Sequence, residues 1–291
     1  MTIQRYEVFN TVVALENITK AGASLNMTQS GVSHAIRSLE DEFGVKLLIR
    51  NKSGIQLTRE GERVHAYTLK IINAHYSLLQ EVHNMMGLET GIIRVGSFSS
   101  VTAQWMPEVL KYFSEVYPGI SIQIYEDDYE SLEHGVAIGE LDCCFTTAST
   151  HKKIEFTPFK KDKLFCIVSR QNPLAEKEIM PLSEIEKHPL VKPKKGWDNE
   201  VADFFNHFNI KPDVKYEVSD DRSILALIQA DMGINIRPEL VMSGAPDDIV
   251  PLELEVDAYR IIGIGTSKWV SPATSLFVSV VTDMFQEELF K

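Results

Sequence analysis

Residues 18–44, ITKAGASLNMTQSGVSHAIRSLEDEFG, decide how the rest of the chain is read. Val32, Ile36, Leu39 and Phe43 recur at helical spacing with Ala35 beside them, giving one narrow buried stripe. Thr28 stands where its hydroxyl can accept from the backbone N–H of Ser30 or Gly31, and Gly44 where a left-handed residue ends a helix. The other face holds Gln29, Ser30, Ser33 and His34, not the Glu and Lys of a solvated surface. Upstream, Thr19 is the expected cap of a short helix over 20–25, and Asn26-Met27 makes a tight turn. Two short helices joined by such a turn, the second capped and half polar, form a helix-turn-helix.

A first helix precedes this pair, with Tyr6, Phe9, Val12 and Val13 at helical spacing and a break at Glu16-Asn17. After it, residues 46–50 and 55–57 flank Asn51-Lys52-Ser53-Gly54, which reads as a hairpin wing. Thr58 then caps a long helix running to about Met86 or Leu88. Val64, Ile71, Leu78, Val82 and Met85, with Tyr67 and His75 between, form a seam roughly 40 Å long at about 1.5 Å per residue. A second copy of the same helix is the simplest partner for it.

From Gly91 the pattern alternates between strands and helices, which predicts an α/β region with a largely parallel sheet. Strands are expected at 92–97, 120–125, 142–147, 164–169, 214–218, 234–236 and 259–265, with helices at 104–116, 132–138, 199–208 and 222–230. Ser271 and Pro272 open a closing helix. About 200 residues of this kind suit two lobes better than one.

Composition agrees with several domains: 291 residues and 44% hydrophobic content provide for more than one core. No run approaches the roughly 18 apolar residues of a membrane span, and MTIQRYEVFNTVV lacks a basic-then-apolar signal layout. A cytoplasmic chain with no membrane partner is expected. The net charge of −12 is unevenly placed. Residues 1–65 hold eight Lys and Arg against seven Asp and Glu, whereas residues 91–291 hold 20 against 32. Only the N-terminal part can approach a polyanion without repulsion. Cys143, Cys144 and Cys166 form no CxxC motif and read as buried thiols.

The stretch from Ile18 to Gly61 resembles the winged helix-turn-helix of LysR-type transcriptional regulators. The resemblance continues through GIIRVGS, WMPEVLKYFSEVYP, GELDC, NPLA and ADMGINIRP to cover essentially the whole chain. It implies a bacterial transcription regulator with three parts. Residues 1–58 would form the DNA-binding domain and 59–88 the linker and dimerisation helix. Residues 89–291 would form an effector domain of periplasmic-binding-protein type, with lobe I at about 91–162 and 267–291 and lobe II at about 163–266. The lobes would meet near 160–163 and 263–268. It also implies a dimer or tetramer, an imperfectly palindromic operator in double-stranded DNA and contact with RNA polymerase. Three departures stand out: Gly22 and Gly31 replace the usual alanine, each at about 1 kcal/mol of helix propensity. Ser53 replaces a frequent wing arginine, leaving Lys52 or Arg50 to take that role.

Major-groove reading needs side chains that reach base edges. Base contacts are therefore assigned to Gln29, Ser30, Ser33 and His34, and phosphate contacts to Thr28, Arg37, Arg50 and Lys52. For a ligand, Ser97, Ser99, Ser100, Val101 and Thr102 form a strand-to-helix turn suited to a carboxylate. By analogy with the family, Thr146, Thr147, Gly196, Trp197, Asp198 and Arg237 face it. Arg237 has two partners open to it, a ligand carboxylate or the Glu126-Asp127-Asp128 run, and a small organic anion is the expected effector. No Ser-His-Asp, HExxH, GxGxxG or GxxxxGK[ST] constellation appears, so neither catalysis nor a cofactor or metal is expected. An architectural DNA binder without a ligand is the competing reading, followed by an enzyme with an accessory DNA-binding domain.

Overall fold

The computed structural model describes residues 3–51, 54–85, 90–147, 153–194 and 196–286, and of Arg50, Asn51 and Asn84 only the backbone. It opens with three helices, α1 (Ile3–Leu15), α2 (Ile18–Ser24) and α3 (Gln29–Phe43). Phe9 and Val12 from α1 and Val32, Ile36 and Leu39 from α3 share one core with Leu47. The cap of α2 is Asn17, not Thr19: its carboxamide oxygen accepts from the N–H of Thr19 and Lys20 at 2.9 and 3.0 Å. Asn26 takes the left-handed conformation (φ 53°) that the turn requires and asparagine tolerates. Gly22 is a steric necessity as well as a propensity cost, since a β-carbon there would stand 2.8 Å from the Met27 carbonyl oxygen. Gly31 is looser, with the Thr28 hydroxyl 3.2 Å from the same position.

Strands β1 (Leu48–Asn51) and β2 (Gly54–Leu57) pair antiparallel, Asn51 opposite Gly54, and form the wing. Thr58 then caps α4 (Arg59–Met85), its hydroxyl accepting from the Gly61 N–H at 2.8 Å and donating to the Lys46 carbonyl at 2.7 Å. One cap thus fixes both the wing and the long helix. Along α4 the sequence seam is laid open: Tyr67 is 69% exposed, Leu78 61% and Met85 76%, with Ile71 and Val82 also exposed. Asn73 ties the helix to the C-terminal region, donating to the Gly139 carbonyl at 2.7 Å and accepting from Arg94 at 2.9 Å.

The remainder forms two lobes. The first carries β3 (Gly91–Ser97), α5 (Ser99–Gln104), α6 (Met106–Val116), β4 (Ile120–Glu126), α7 (Tyr129–Ile138), β5 (Cys143–Thr147) and the 15-residue β6 (Glu155–Ser169). The second is built from β7 (Ile179–Met180), α8 (Leu182–Ile185), β8 (Pro189–Pro193), α9 (Asn199–His207), β9 (Asp213–Val218), α10 (Asp221–Gln229), β10 (Asn235–Pro238), α11 (Glu239–Met242) and β11 (Ile249–Leu254). The chain then returns to the first lobe through β12 (Tyr259–Thr266) and α12 (Pro272–Phe285). Trp105, Phe113, Phe145, Phe159 and Phe277 form the first core, and Leu164, Ile185, Val201, Phe204 and Ile236 anchor a core in the second.

The strand order β4-β3-β5-β12-β6-β11-β7, with β10 also on β6, corrects the expectation of a largely parallel sheet. β3 pairs parallel with β4 and β5, but β12, β10 and β11 all run antiparallel to β6. Strand β6 serves both lobes, its first half pairing with β12 and its second with β10 and β11. The expected lobe boundary at 266 is also corrected. β12 pairs with β5, and its Ile262 and Ile264 lie in the first core beside Phe145 and Phe277, so the return crossing precedes Tyr259. The helix expected over 104–116 is present as α6, and the short α5, which was not expected, precedes it and meets it at Trp105. Among the described residues, no helix is long and apolar enough to cross a membrane.

Candidate functional site

Helix α3 presents its polar face as the sequence implies. Thr28 caps it through a 3.1 Å bond from the Gly31 N–H, and Gly44 closes it in the left-handed region (φ 69°). Gln29, Ser30, His34 and Arg37 are exposed and Ser33 is half-buried. Two of the side-chain pairs are already ordered: Gln29 Nε2 donates to Ser33 Oγ at 3.0 Å, and the Thr28 and Ser30 hydroxyls lie 3.0 Å apart. The Gln29–Ser33 bond uses the i, i+4 row and holds the amide along the helix, and it engages neither the carbonyl oxygen nor the second N–H of that amide. Lys52 and the Arg50 side chain lie outside the described residues.

Glu40, on the same helix, was not singled out in the sequence. Its carboxylate is buried and accepts from the N–H groups of Leu47 and Leu48 at 2.9 and 3.3 Å and from Lys46 Nζ at 2.6 Å. Burial alone would raise its pKa; the Lys46 bond and the two backbone donors outweigh it and hold the carboxyl below its usual value. Helix α3 and the wing are thereby joined through one charge. A Glu in the last turn before a helix-ending Gly is the signal that could have found it.

The second site is a cavity of about 140 Å³ between the lobes. Of the eleven effector residues assigned from the sequence, Ser99, Ser100, Gly196, Trp197, Asp198 and Arg237 line it. Ser97, Val101, Thr102, Thr146 and Thr147 do not. Ser97 is buried beneath α5 and accepts from the Thr102 hydroxyl at 2.9 Å. Val101 belongs to the core, and the Thr146 hydroxyl donates to Glu133 at 2.8 Å. Thr147 faces a separate hollow beside Phe204 and Tyr259. The lobes approach closely at Gly196 (φ 99°), where a β-carbon would lie 3.6 Å from the Asp128 side chain.

The serine turn does not stand open for a carboxylate. Ser99 Oγ donates to Asp221 at 2.8 Å, and Ser100 Oγ accepts from Arg260 at 3.0 Å. Of the two partners open to Arg237, the 126–128 run is not the one it meets: its guanidinium bonds Asp221. Arg260, which the sequence reading missed, is 4% exposed and lies at the centre. It pairs across the strands with Asp162, Nε to carboxylate 2.7 Å, and donates through Nη1 to Tyr129 at 3.0 Å and Glu200 at 3.3 Å. Burial opposes its charge, but Tyr129, Glu200 and Asp162 together hold it firmly protonated. Its sequence signal is a lone arginine in the apolar strand YRIIGIG.

Among the described lining residues, seven are carboxylates: Glu126, Asp127 and Asp128 from the first lobe, and Asp198, Glu200, Asp220 and Asp221 from the second. Arg237 and Arg260 oppose them. Burial pushes the Asp198 carboxyl up to about 6, Lys192 opposing and Glu200 adding to the rise. The folded protein therefore holds an extra proton between about pH 4 and 6, and charging the group costs stability as pH rises through that window, about 2–3 kcal/mol in all. Asp198→Asn should raise the thermal midpoint by about 5 °C at pH 7.5 and by only about a third as much near pH 4.5. Equal midpoints for both proteins at pH 7.5 would refute this account of Asp198.

Cys143, Cys144 and Cys166 are free and buried, and burial pushes each thiol up, that of Cys166 to about 12. None is a ready nucleophile at neutral pH. His65 is buried against Phe9.

Comparison with known proteins agrees with this architecture. Residues 3–62 match the bacterial regulatory helix-turn-helix protein, lysR family, and residues 86–286 match the LysR substrate binding domain. The HTH-type transcriptional regulator YvbU of Bacillus subtilis is 28% identical over 99% of this chain and 100% of its own. The probable regulator LrrA of Synechococcus elongatus is 27% identical over 97% of this chain and 96% of its own. A full-length OxyR variant from Pseudomonas aeruginosa, 18% identical, superposes with a TM-score of 0.80 over 99% of this chain and 98% of its own. CbnR complexed with its target DNA, 22% identical, does so at 0.67 over 97% and 99%. With both family domains matched in order along nearly its full length, the chain belongs to the LysR family of DNA-binding transcriptional regulators.

Proposed function

We propose that α3 reads an operator in double-stranded DNA through Gln29, Ser30, Ser33 and His34, with Thr28, Arg37, Arg50 and Lys52 on phosphates. In the same reading the interlobe cleft binds a small-molecule effector that modulates this contact. The observation that carries it is the exposed, pre-ordered polar face of α3 beside the paired strands of the wing. The DNA complex of CbnR supports the first half. The QuiR effector domain in complex with shikimate, TM-score 0.61 over 67% of this chain, supports the second. Residues 1–58 read DNA, 59–88 pair with a second copy, and 89–291 sense the effector. The exposed seam of Tyr67, Leu78 and Met85 supports a dimer, which two such dimers extend to a tetramer on an imperfect palindrome. The regulator works in the cytoplasm with RNA polymerase as a further partner, and it catalyses no reaction.

The test is Gln29→Ala, which removes a bidentate partner for adenine. Binding to the specific operator should weaken by about 1–3 kcal/mol, roughly 5- to 150-fold, while weak binding to random DNA persists. Equal losses on both DNAs in a salt-matched gel-shift titration would show that Gln29 does not read sequence.

A further inference from the structure

The charges of the cleft do not suit the small organic anion expected from the sequence. Both guanidiniums are already engaged: Arg260 by Asp162, Tyr129, Glu200 and Ser100, and Arg237 by Asp221. An entering anion would meet no uncommitted cation among the described lining residues and an excess of five negative charges there, seven carboxylates against two guanidiniums, when all are ionised. An entering cation would be drawn in.

Two further observations point to a ligand. Glu200 has a side chain 8% exposed, and its Oε2 is buried with no hydrogen-bond partner although Oε1 is bonded. Arg237, with a side chain 5% exposed, has its Nε buried and equally without a partner. Buried polar atoms are almost always satisfied, so an acceptor and a donor left open in two walls of one cavity mark places for a ligand. Asp198 lines the same cavity, and its carboxylate makes no capping bond to the helix it precedes. Burial holds its carboxyl up, and neighbouring Glu200 adds to the rise. Lys192 is the nearby ammonium of the protein itself, and it faces Glu217 at 3.8 Å.

We propose that the cleft takes a small cationic amine, its ammonium held by Asp198 and Glu200 with Asp128 on the facing lobe, and an acceptor atom of the same molecule opposite Arg237 Nε. The inference rests on the cleft being the effector site. An ammonium has three donors and no acceptor, which matches a pocket wall of carboxylates. The charge it brings removes the repulsion among Asp128, Asp198 and Glu200 and favours the closed lobes. Specificity then comes from the second group, because an alkylamine lacking an acceptor leaves Arg237 Nε unpaired.

Thermal unfolding of the full chain tests it, using primary amines on two- to six-carbon skeletons beside the carboxylates and alcohols of the same skeletons. At roughly 100 times Kd, amines with a second polar group should raise the midpoint by about 5 °C or more. Asp198→Asn and Glu200→Gln, whose own unliganded midpoints show that they fold, should abolish that rise. A rise with carboxylates alone overturns the amine assignment but leaves the cleft standing as an effector site. An amine-induced rise that survives in both variants overturns the inference by placing the amine elsewhere. No rise with any compound, in a protein that unfolds cooperatively, counts against both the amine and the effector cleft.

Discussion

Arg260→Met is expected to lower the stability of the effector domain by about 3–5 kcal/mol, the loss typical when one partner of a buried ion pair is removed. The midpoint of thermal unfolding should fall by about 10 °C at pH 7.5. Asp162 and Glu200 would remain in the interior with no guanidinium between them, and the Tyr129 hydroxyl and Ser100 would lose their donor. Methionine fills much of the volume, so the cost is electrostatic and not a cavity. The sign of the pH dependence follows: carboxylates stranded in the interior have raised pKa values, and stability is lost as pH rises and they are forced to charge. The deficit should therefore shrink toward pH 5, and adding Asp162→Asn to Arg260→Met should restore part of it at neutral pH. A midpoint within about 2 °C of the parent at pH 7.5 would mean that Arg260 is not the keystone its four partners suggest.

Glu40→Ala should cost about 2–3 kcal/mol, because charge-assisted bonds to Leu47, Leu48 and Lys46 go at once and two N–H groups are left unpaired. The larger effect is on DNA binding, since the wing loses its attachment to α3 and the two contact elements no longer keep a fixed spacing. Operator affinity should fall more than tenfold, with amide exchange at Leu47 and Leu48 accelerating first. Glu40 has a folded pKa below its unfolded value, so its contribution is present above about pH 4.5 and is lost as pH falls through the folded value. Glu40→Gln, which keeps the size and removes the charge, should behave at pH 7 as the parent does in acid. Unchanged exchange at Leu47 in Glu40→Ala would sink the coupling.

The features that the sequence discloses are those encoded within a few residues. The stripe of Val32, Ile36 and Leu39, the Thr28 cap and the left-handed Gly44 are all local, and each is in place. The seam on α4 is legible for the same reason, as is the Ser271-Pro272 start of α12. What escaped depends on distant partners. The antiparallel pairing of β6 joins residues about 70 to 110 positions apart, and no period in the sequence announces its direction. β7 and β8 are too short or too proline-flanked to show a strand pattern. In the cleft, residue types were readable but their commitments were not. Ser97 and Thr102 satisfy one another, Ser99 serves Asp221, and Arg237 finds its partner 16 residues upstream and not in the 126–128 run.

The bonds from Asn73 to Gly139 and from Arg94 to Asn73 decide which part of the molecule can move. They pin the linker helix to the first lobe, so these two share one frame of reference with the first helix, whose Glu7 accepts from the Tyr76 hydroxyl at 2.7 Å. If an effector opens or shuts the cleft as proposed, the expected movement is a swing of the second lobe about β6, the strand that both lobes share, with that frame still. On that reading a signal would travel outward as displacement of the second lobe against a neighbouring subunit. With the linker helix tied to the first lobe in this way, a protomer held apart from its neighbours is expected to bind the proposed effector without changing its grip on DNA.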